Sequence, residues 1–226
     1  MKSHADIEIV PAILRKTFEG VVLDWEKVRS VAAHIQIDVT DGIFAGDGTF
    51  RDIARLKQLP ESQKIELHMM VQRPADYMEA VIDLLPARCI FHIESFAGGE
   101  DLESQYEMLR NRTSGTELGV AINPDSPSQY LEEYLHVTDY VLFMGYNPGF
   151  AGQVVNPIVF SKIGQFRGKH PDIPIAVDGH VGFDTVEDYA KAGARILYSN
   201  SAIFKSGDPR ENIQQLKLKA QSAVLK

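Results

Sequence analysis

The segment Ile35-Gln36-Ile37-Asp38-Val39-Thr40 sets a glutamine, an aspartate and a threonine on alternate positions. An extended chain turns successive side chains to opposite faces, so these three share one face and Ile35, Ile37 and Val39 the other. Three polar side chains in a row on an inward face are costly unless that face meets water or a metal ion. Leu67-His68-Met69-Met70 repeats the pattern, with His68 and Met70 together, and Ala176-Val177-Asp178-Gly179-His180 ends an apolar run on a carboxylate. Taken alone, an inward histidine is more often a hydrogen-bonded structural residue, and Asp178 would serve equally as a turn cap. Taken together, they suit the mouth of a site.

A second kind of chemistry is written in the loop Gly145-Tyr146-Asn147-Pro148-Gly149-Phe150-Ala151-Gly152-Gln153. Its glycines and the small Ala151 leave several backbone N–H groups free to converge on an anion. A glycine-rich loop by itself is a weak signal. Gly179-His180 and Asn200-Ser201, each following a later apolar run, strengthen it. The glycine after Asp178 also lets backbone approach a ligand closely.

These residues need a frame that brings distant segments to one end. Short β-rich runs at Ile7–Leu14, Ala33–Val39, Ile65–Val71, Arg88–Ile93, Glu117–Ile122, Tyr140–Met144, Ile173–Val177 and Arg195–Ser199 predict eight strands. Helical patterns at Val22–Val31, Phe50–Leu56, Pro74–Leu84, Leu102–Arg112, Ser128–Tyr134, Pro157–Lys169, Phe183–Ala192 and Arg210–Leu225 separate or follow them. Pro74, Pro157 and Asp208-Pro209 read as helix starts, and Gly193 as a helix stop. Alternating strands and helices predict parallel βαβ units, and eight of them in 226 residues predict a single (β/α)8 barrel, a TIM barrel, over residues 1–226. A doubly wound open sheet would carry a glycine-rich fingerprint after the first strand, where Pro11-Ala12-Ile13-Leu14-Arg15 has none. In a barrel the strand ends carrying Asp38, His68 and Asp178 meet at the C-terminal mouth, beside a phosphate site built from the loops after strands seven and eight.

Composition narrows the function. A net charge of −8 without a basic cluster argues against nucleic acid. No run of about 18 apolar residues supports a membrane span, and MKSHADIEIV lacks the apolar core of a signal peptide, so the cytoplasm is expected. The single cysteine, Cys89, lies in an apolar run and reads as core rather than nucleophile. His34, His92, His136 and His170 read as structural histidines, and Trp25 as a helix-face packing residue.

In this order and on these strands the motifs are specific. The chain resembles the ribulose-phosphate 3-epimerase family, the ribulose-phosphate-binding type of barrel, nearly end to end. The resemblance rests on Pro11-Ala12-Ile13-Leu14, Ile37-Asp38-Val39-Thr40-Asp41-Gly42, Leu67-His68-Met69-Met70, Asn123-Pro124, Asn147 to Gln153, Val177-Asp178-Gly179 and Ser199-Asn200-Ser201-Ala202-Ile203-Phe204. It implies metal-assisted removal of a proton next to a ketone and its return on the opposite face, at C3 of a ketose phosphate such as D-ribulose 5-phosphate or D-xylulose 5-phosphate. Asp38 and Asp178 are thereby the acid/base pair. Asp38, His68, Asp178 and the residue at position 36 would hold one divalent ion: zinc, iron, manganese or cobalt. His68, Met70, Met144, Gly149, Phe150, Ala151, Gly152, Gly179, His180, Asn200 and Ser201 would line the substrate and its phosphate. A homo-oligomer is implied as well, with a small phosphorylated sugar as the only other partner.

The chain also departs from the family pattern. Gln36 stands where a histidine ligand is expected, Ala12 where a serine is, and Thr40 where a methionine is. His180 and Asn200 replace glycines beside the phosphate, and the Asn-rich stretch expected after Gly42 is Ile43-Phe44-Ala45-Gly46-Asp47-Gly48. Three readings follow: a 3-epimerase, a related enzyme with another ketose phosphate, and a non-catalytic sugar-phosphate binder with a decayed metal site.

Overall fold

A computed structural model describes residues 6–46, 48–96, 101–148 and 153–225. Eight parallel strands close on one another in sequence order. They are β1 (Glu8–Ile13), β2 (Ile35–Thr40), β3 (Ile65–Met70), β4 (Arg88–His92), β5 (Glu117–Ile122), β6 (Tyr140–Met144), β7 (Ile175–Asp178) and β8 (Ile196–Ser199). The ring closes where β1 pairs β8, with Val10 opposite Tyr198. The predicted barrel is the observed one.

The α-helices are α1 (Phe18–Val28), α2 (Met78–Leu84), α3 (Leu102–Arg112), α4 (Ile158–Lys169), α5 (Val186–Ala192), α6 (Ser201–Phe204) and α7 (Pro209–Val224). Period-two alternation divides each strand between two cores. Ile35, Ile37 and Val39 face the helix layer, in a cluster that also holds Trp25 and Leu216. Val10, Ile90, Leu142, Met144, Ala176 and Tyr198 fill the barrel itself. Gln36, Asp38 and Thr40 share the inward parity, and all three are buried.

Several helical expectations shift. α1 begins at Phe18 rather than Val22, because Thr17 caps it by accepting a hydrogen bond from the Gly20 N–H. The patterns at 50–56 and 128–134 become 3-10 segments, Ile53–Gln58 and Ser128–Tyr134. Pro74–Tyr77 is a 3-10 turn that leads into α2. α7 starts as expected, with Asp208 accepting from Arg210 N–H and Pro209 in the first turn.

Candidate active site

Strand register assembles the centre. Asp38 on β2 lies directly opposite His68 on β3, and Asp178 ends β7 opposite Met144 of β6. His68 Nδ1 lies 3.1 Å from Asp38 Oδ1 and 3.3 Å from Asp178 Oδ2. Gln36, one inward position below Asp38, donates through Nε2 to Asp38 Oδ1 at 2.8 Å and to Asp178 Oδ2 at 2.7 Å. The barrel thus brings strands two, three and seven into one hydrogen-bonded knot of four side chains.

Burial and charge set the electrostatics of this knot. Burial raises Asp38 to about 6, with Asp178 pushing the same way and the His68 hydrogen bond opposing. Burial disfavours charge on His68, but its bonds to Asp178 and Asp38 outweigh that and raise it to about 9. Asp178 is the more open carboxylate, its side chain 16% exposed against 9% for Asp38.

The donor set fits a divalent cation. Asp38, His68 and Asp178 each offer one ligand atom, all within 4.8 Å of one another. That spacing lets two carboxylate oxygens and one imidazole nitrogen reach a common ion, and three protein ligands leave open positions for a substrate. Gln36 meets the group with the opposite polarity, its nitrogen toward the carboxylates. Its buried Oε1 has no hydrogen-bond partner among the described residues. An oxygen ligand at this position requires the amide to turn.

The mouth is built around the knot. Met70 and Met144 are buried beside it, as is Ala12. The loop after β2 folds back over the barrel. Thr49 Oγ1 donates to Asp38 O, and Asp41 accepts from the backbone N–H groups of Ile43, Phe44 and Gln72. Phe44 comes to 4.9 Å from the ring of His92.

On the expected phosphate side, Gly179 (φ +118°) and His180 (φ +52°) both have left-handed backbone. The His180 ring is engaged elsewhere: Nδ1 pairs with Gln153 O at 2.8 Å and Nε2 with Asp184 Oδ2 at 3.0 Å. The His180 imidazole is therefore held at both nitrogens by residues of the neighbouring loops. Asn200 Nδ2 donates to Ala12 O, and Ser201 opens the short α6. Ser199 Oγ donates to Val181 O, which ties the loops after β7 and β8 together. Gly149, Phe150, Ala151 and Gly152 lie outside the described residues.

Two groups beside the knot are absent from the site as the sequence outlines it. His92 Nε2 lies 2.9 Å from His68 Nε2, and Glu94 follows at the end of β4. The signal was present: Arg88, Ile90 and His92 alternate on the inward face, in step with His68. Cys89, on the opposite face, is buried, and burial pushes its thiol far above the ordinary range, so the core reading stands.

Residues 8–204 match the model of the Ribulose-phosphate 3 epimerase family. A ribulose-phosphate 3-epimerase of Candida glabrata is 31% identical over 231 residues, covering 92% of this chain and 90% of its own. The cytoplasmic isoform from Oryza sativa subsp. japonica is 29% identical, covering 96% of both chains. Among solved structures, KGPDC from Streptococcus mutans superposes with a TM-score of 0.72 at 10% identity, covering 97% of this chain and 99% of that one. Orotidine 5'-monophosphate decarboxylase from Sulfolobus solfataricus superposes at 0.65 and 13% identity, covering 97% and 100%. At those identities the likeness is one of fold. No helix among the described residues is long and apolar enough to cross a membrane.

Proposed function

The chain belongs to the ribulose-phosphate 3-epimerase family of isomerases, and on that premise we propose that Asp38 and Asp178 exchange the C3 proton of a ketose phosphate, D-ribulose 5-phosphate or D-xylulose 5-phosphate. The observation that carries the assignment is the convergence of the two carboxylates on one nitrogen of His68, 3.1 and 3.3 Å from Nδ1. One carboxylate, ionised, takes the proton from C3. The other, protonated, delivers its proton to the opposite face of the planar intermediate, and the reverse reaction exchanges the roles. Asp38, His68 and Asp178 would hold one divalent ion. When bound, it stabilises the negative charge that develops on the substrate oxygens.

The phosphate end is assigned to the backbone of Gly179–His180 and Asn200–Ser201, and from the sequence alone to Gly149–Gly152 as well. Two things support this: left-handed backbone at 179 and 180, and the habit of this fold of binding phosphate after strands seven and eight. Met70 and Met144 close the apolar side of the pocket. Ala12 and Thr40 favour a second reading of the substrate, a ketose phosphate with other hydroxyl positions. Self-association belongs to the same proposal. Leu23 on α1 and Leu218 on α7 are exposed, and a single monomeric species in sedimentation would remove that part.

The test follows exchange of the C3 hydrogen in deuterated water with the purified, metal-loaded protein. D-ribulose 5-phosphate is expected to exchange, and Asp38→Asn or Asp178→Asn to lower the rate by about 100-fold or more. Full-rate exchange in either variant would remove that residue from the pair. Exchange with another ketose phosphate but not with D-ribulose 5-phosphate would move the assignment to the second substrate.

A further inference from the structure

The knot at the mouth has a buried extension. His68 and His92 meet edge to edge, with ring centroids 5.1 Å apart and planes 18° from parallel, and both are fully buried. Their Nε2 atoms face each other at 2.9 Å, so one hydrogen must lie between them. His92 Nδ1 lies 3.5 Å from Glu94 Oε2, and neither atom has another hydrogen-bond partner among the described residues. The other oxygen, Glu94 Oε1, accepts from Asn123 N–H at 2.8 Å and from Ser126 Oγ–H at 2.6 Å. The carboxylate is thereby anchored to the end of β5.

We infer that His92 and Glu94 are positioning residues that keep a hydrogen on His68 Nε2, so that Nδ1, which donates to Asp38 and Asp178 in the metal-free protein, is the nitrogen that gives up its hydrogen and meets the cation. This rests on the metal site proposed above and goes beyond it, by saying which tautomer the protein imposes and how. An ionised carboxylate only accepts, so Glu94 requires the hydrogen of His92 on Nδ1. A neutral His92 then presents a bare Nε2, which can only accept from His68 Nε2–H. The opposite arrangement puts a bare His92 nitrogen against the Glu94 carboxylate, two acceptors face to face in a buried site. It also confines the hydrogen of a neutral His68 to Nδ1, where a ligand needs a lone pair. The chain Glu94–His92–His68 therefore transmits the polarity of one anchored carboxylate to the ligand atom, about two side chains away. Phe44, 4.9 Å from the His92 ring, covers its open side.

The experiment uses the full chain, histidine-labelled with nitrogen-15, with and without added zinc. Nitrogen shifts read the tautomer of His68, and chelator competition reads zinc affinity. Glu94→Gln keeps an oxygen for Asn123 and Ser126 but turns an amide N–H toward His92. It is expected to shift His68 toward the Nδ1–H tautomer and to weaken zinc about 10- to 100-fold. His92→Leu is expected to weaken zinc similarly, and His92→Gln, whose amide oxygen can accept from His68, to recover part of the loss. If His92→Leu does not fold, Glu94→Gln carries the decision alone. Unchanged His68 shifts and zinc affinity within threefold in Glu94→Gln would overturn the inference. In that case C3 exchange by the parent protein would leave the epimerase assignment standing. A parent protein without exchange would fail that assignment, while the tautomer shift in Glu94→Gln would still decide the role of His92 and Glu94.

Discussion

Gln36 turns a nitrogen toward two carboxylates that face a common histidine. Its Nε2 lies 2.8 Å from Asp38 and 2.7 Å from Asp178, so the amide spans the gap that a cation would bridge. For zinc to gain a fourth ligand here, the amide must break both bonds and present Oε1, a weaker donor to zinc than imidazole. Gln36→His is therefore expected to tighten zinc by about tenfold or more, each tenfold step corresponding to about 1.4 kcal/mol. Chelator competition measures it, and an unchanged affinity would mean that position 36 lies outside the coordination sphere. The residue types at the centre were legible in the sequence because Gln36, Asp38 and His68 interrupt apolar strands on one face and Asp178 ends an apolar run. The polarity of Gln36 and the linkage of His68 to His92 were not, since alternation gives a face but not which atom of an amide or imidazole points inward. His92 lies on the right face and still reads as structural from sequence, because nothing in one sequence brings β3 and β4 into register.

At the level of elements, β5 and β6 fall where the apolar runs predicted them, and the other strand ends move by a few residues. Buried parallel strands are short and apolar, so their sequence signal is strong. β7 begins at Ile175 rather than Ile173, after Pro174, which has no N–H to donate. The helical connections were less legible. Two turn out to be 3-10 segments, one of them over the expected residues 128–134, and the four-residue α6 is too brief to leave a periodic pattern. The contact that aligns β6 with β7 was also hidden, because it is made by backbone. Gly145 N–H donates to Asp178 O at 2.6 Å, and a Cβ on Gly145 would lie 2.2 Å from Gly179 O and 2.5 Å from the Tyr189 hydroxyl. Gly145→Ala must push Gly179 away and carry Asp178 with it. It is expected to cost about 1–3 kcal/mol of stability and to slow C3 exchange. Gly164→Ala in α4 meets nothing within 4 Å, and removing a helical glycine there should add about 0.5–1 kcal/mol. Urea midpoints of the two variants should move in opposite directions, and a Gly145→Ala midpoint at or above the parent's would mean that the strands can separate freely there.

Across the whole molecule the barrel divides chemistry from stability along its axis. The C-terminal mouth holds the carboxylate and histidine knot. The N-terminal floor holds a second charged cluster, in which Arg88 reaches Glu66 at 2.5 Å, Glu117 at 2.7 Å and Glu8 at 3.0 Å, while His34 pairs with Glu8 at 2.5 Å. Glu8, His34, Arg88 and Glu117 line an open cavity of about 680 Å³ at this end. Arg88 bonds all three glutamates at once, so the floor reads as a clamp across β1, β3, β4 and β5. Burial alone would raise Glu8, but the His34 hydrogen bond and the Arg88 charge outweigh it and lower the group from 4.5 to about 2. A carboxylate depressed in the folded state stabilises the fold above its unfolded value and loses that contribution as the pH falls through the folded one. The window for Glu8 is therefore pH 4.5 down to about 2. Glu66 has the opposite sign, since burial raises it despite Arg88, so the readout is the difference between parent and Glu8→Gln rather than either curve alone. At pH 7 the variant should be less stable by up to about 3 kcal/mol, and the gap should narrow through that window as the parent's Glu8 is protonated. Urea unfolding of both proteins at pH 7, 4 and 2.5 measures it, and curves that stay parallel would release Glu8 from the clamp. Because the floor and the mouth are separated by the packed interior of the barrel, C3 exchange at pH 7 by the folded variant should match that of the parent.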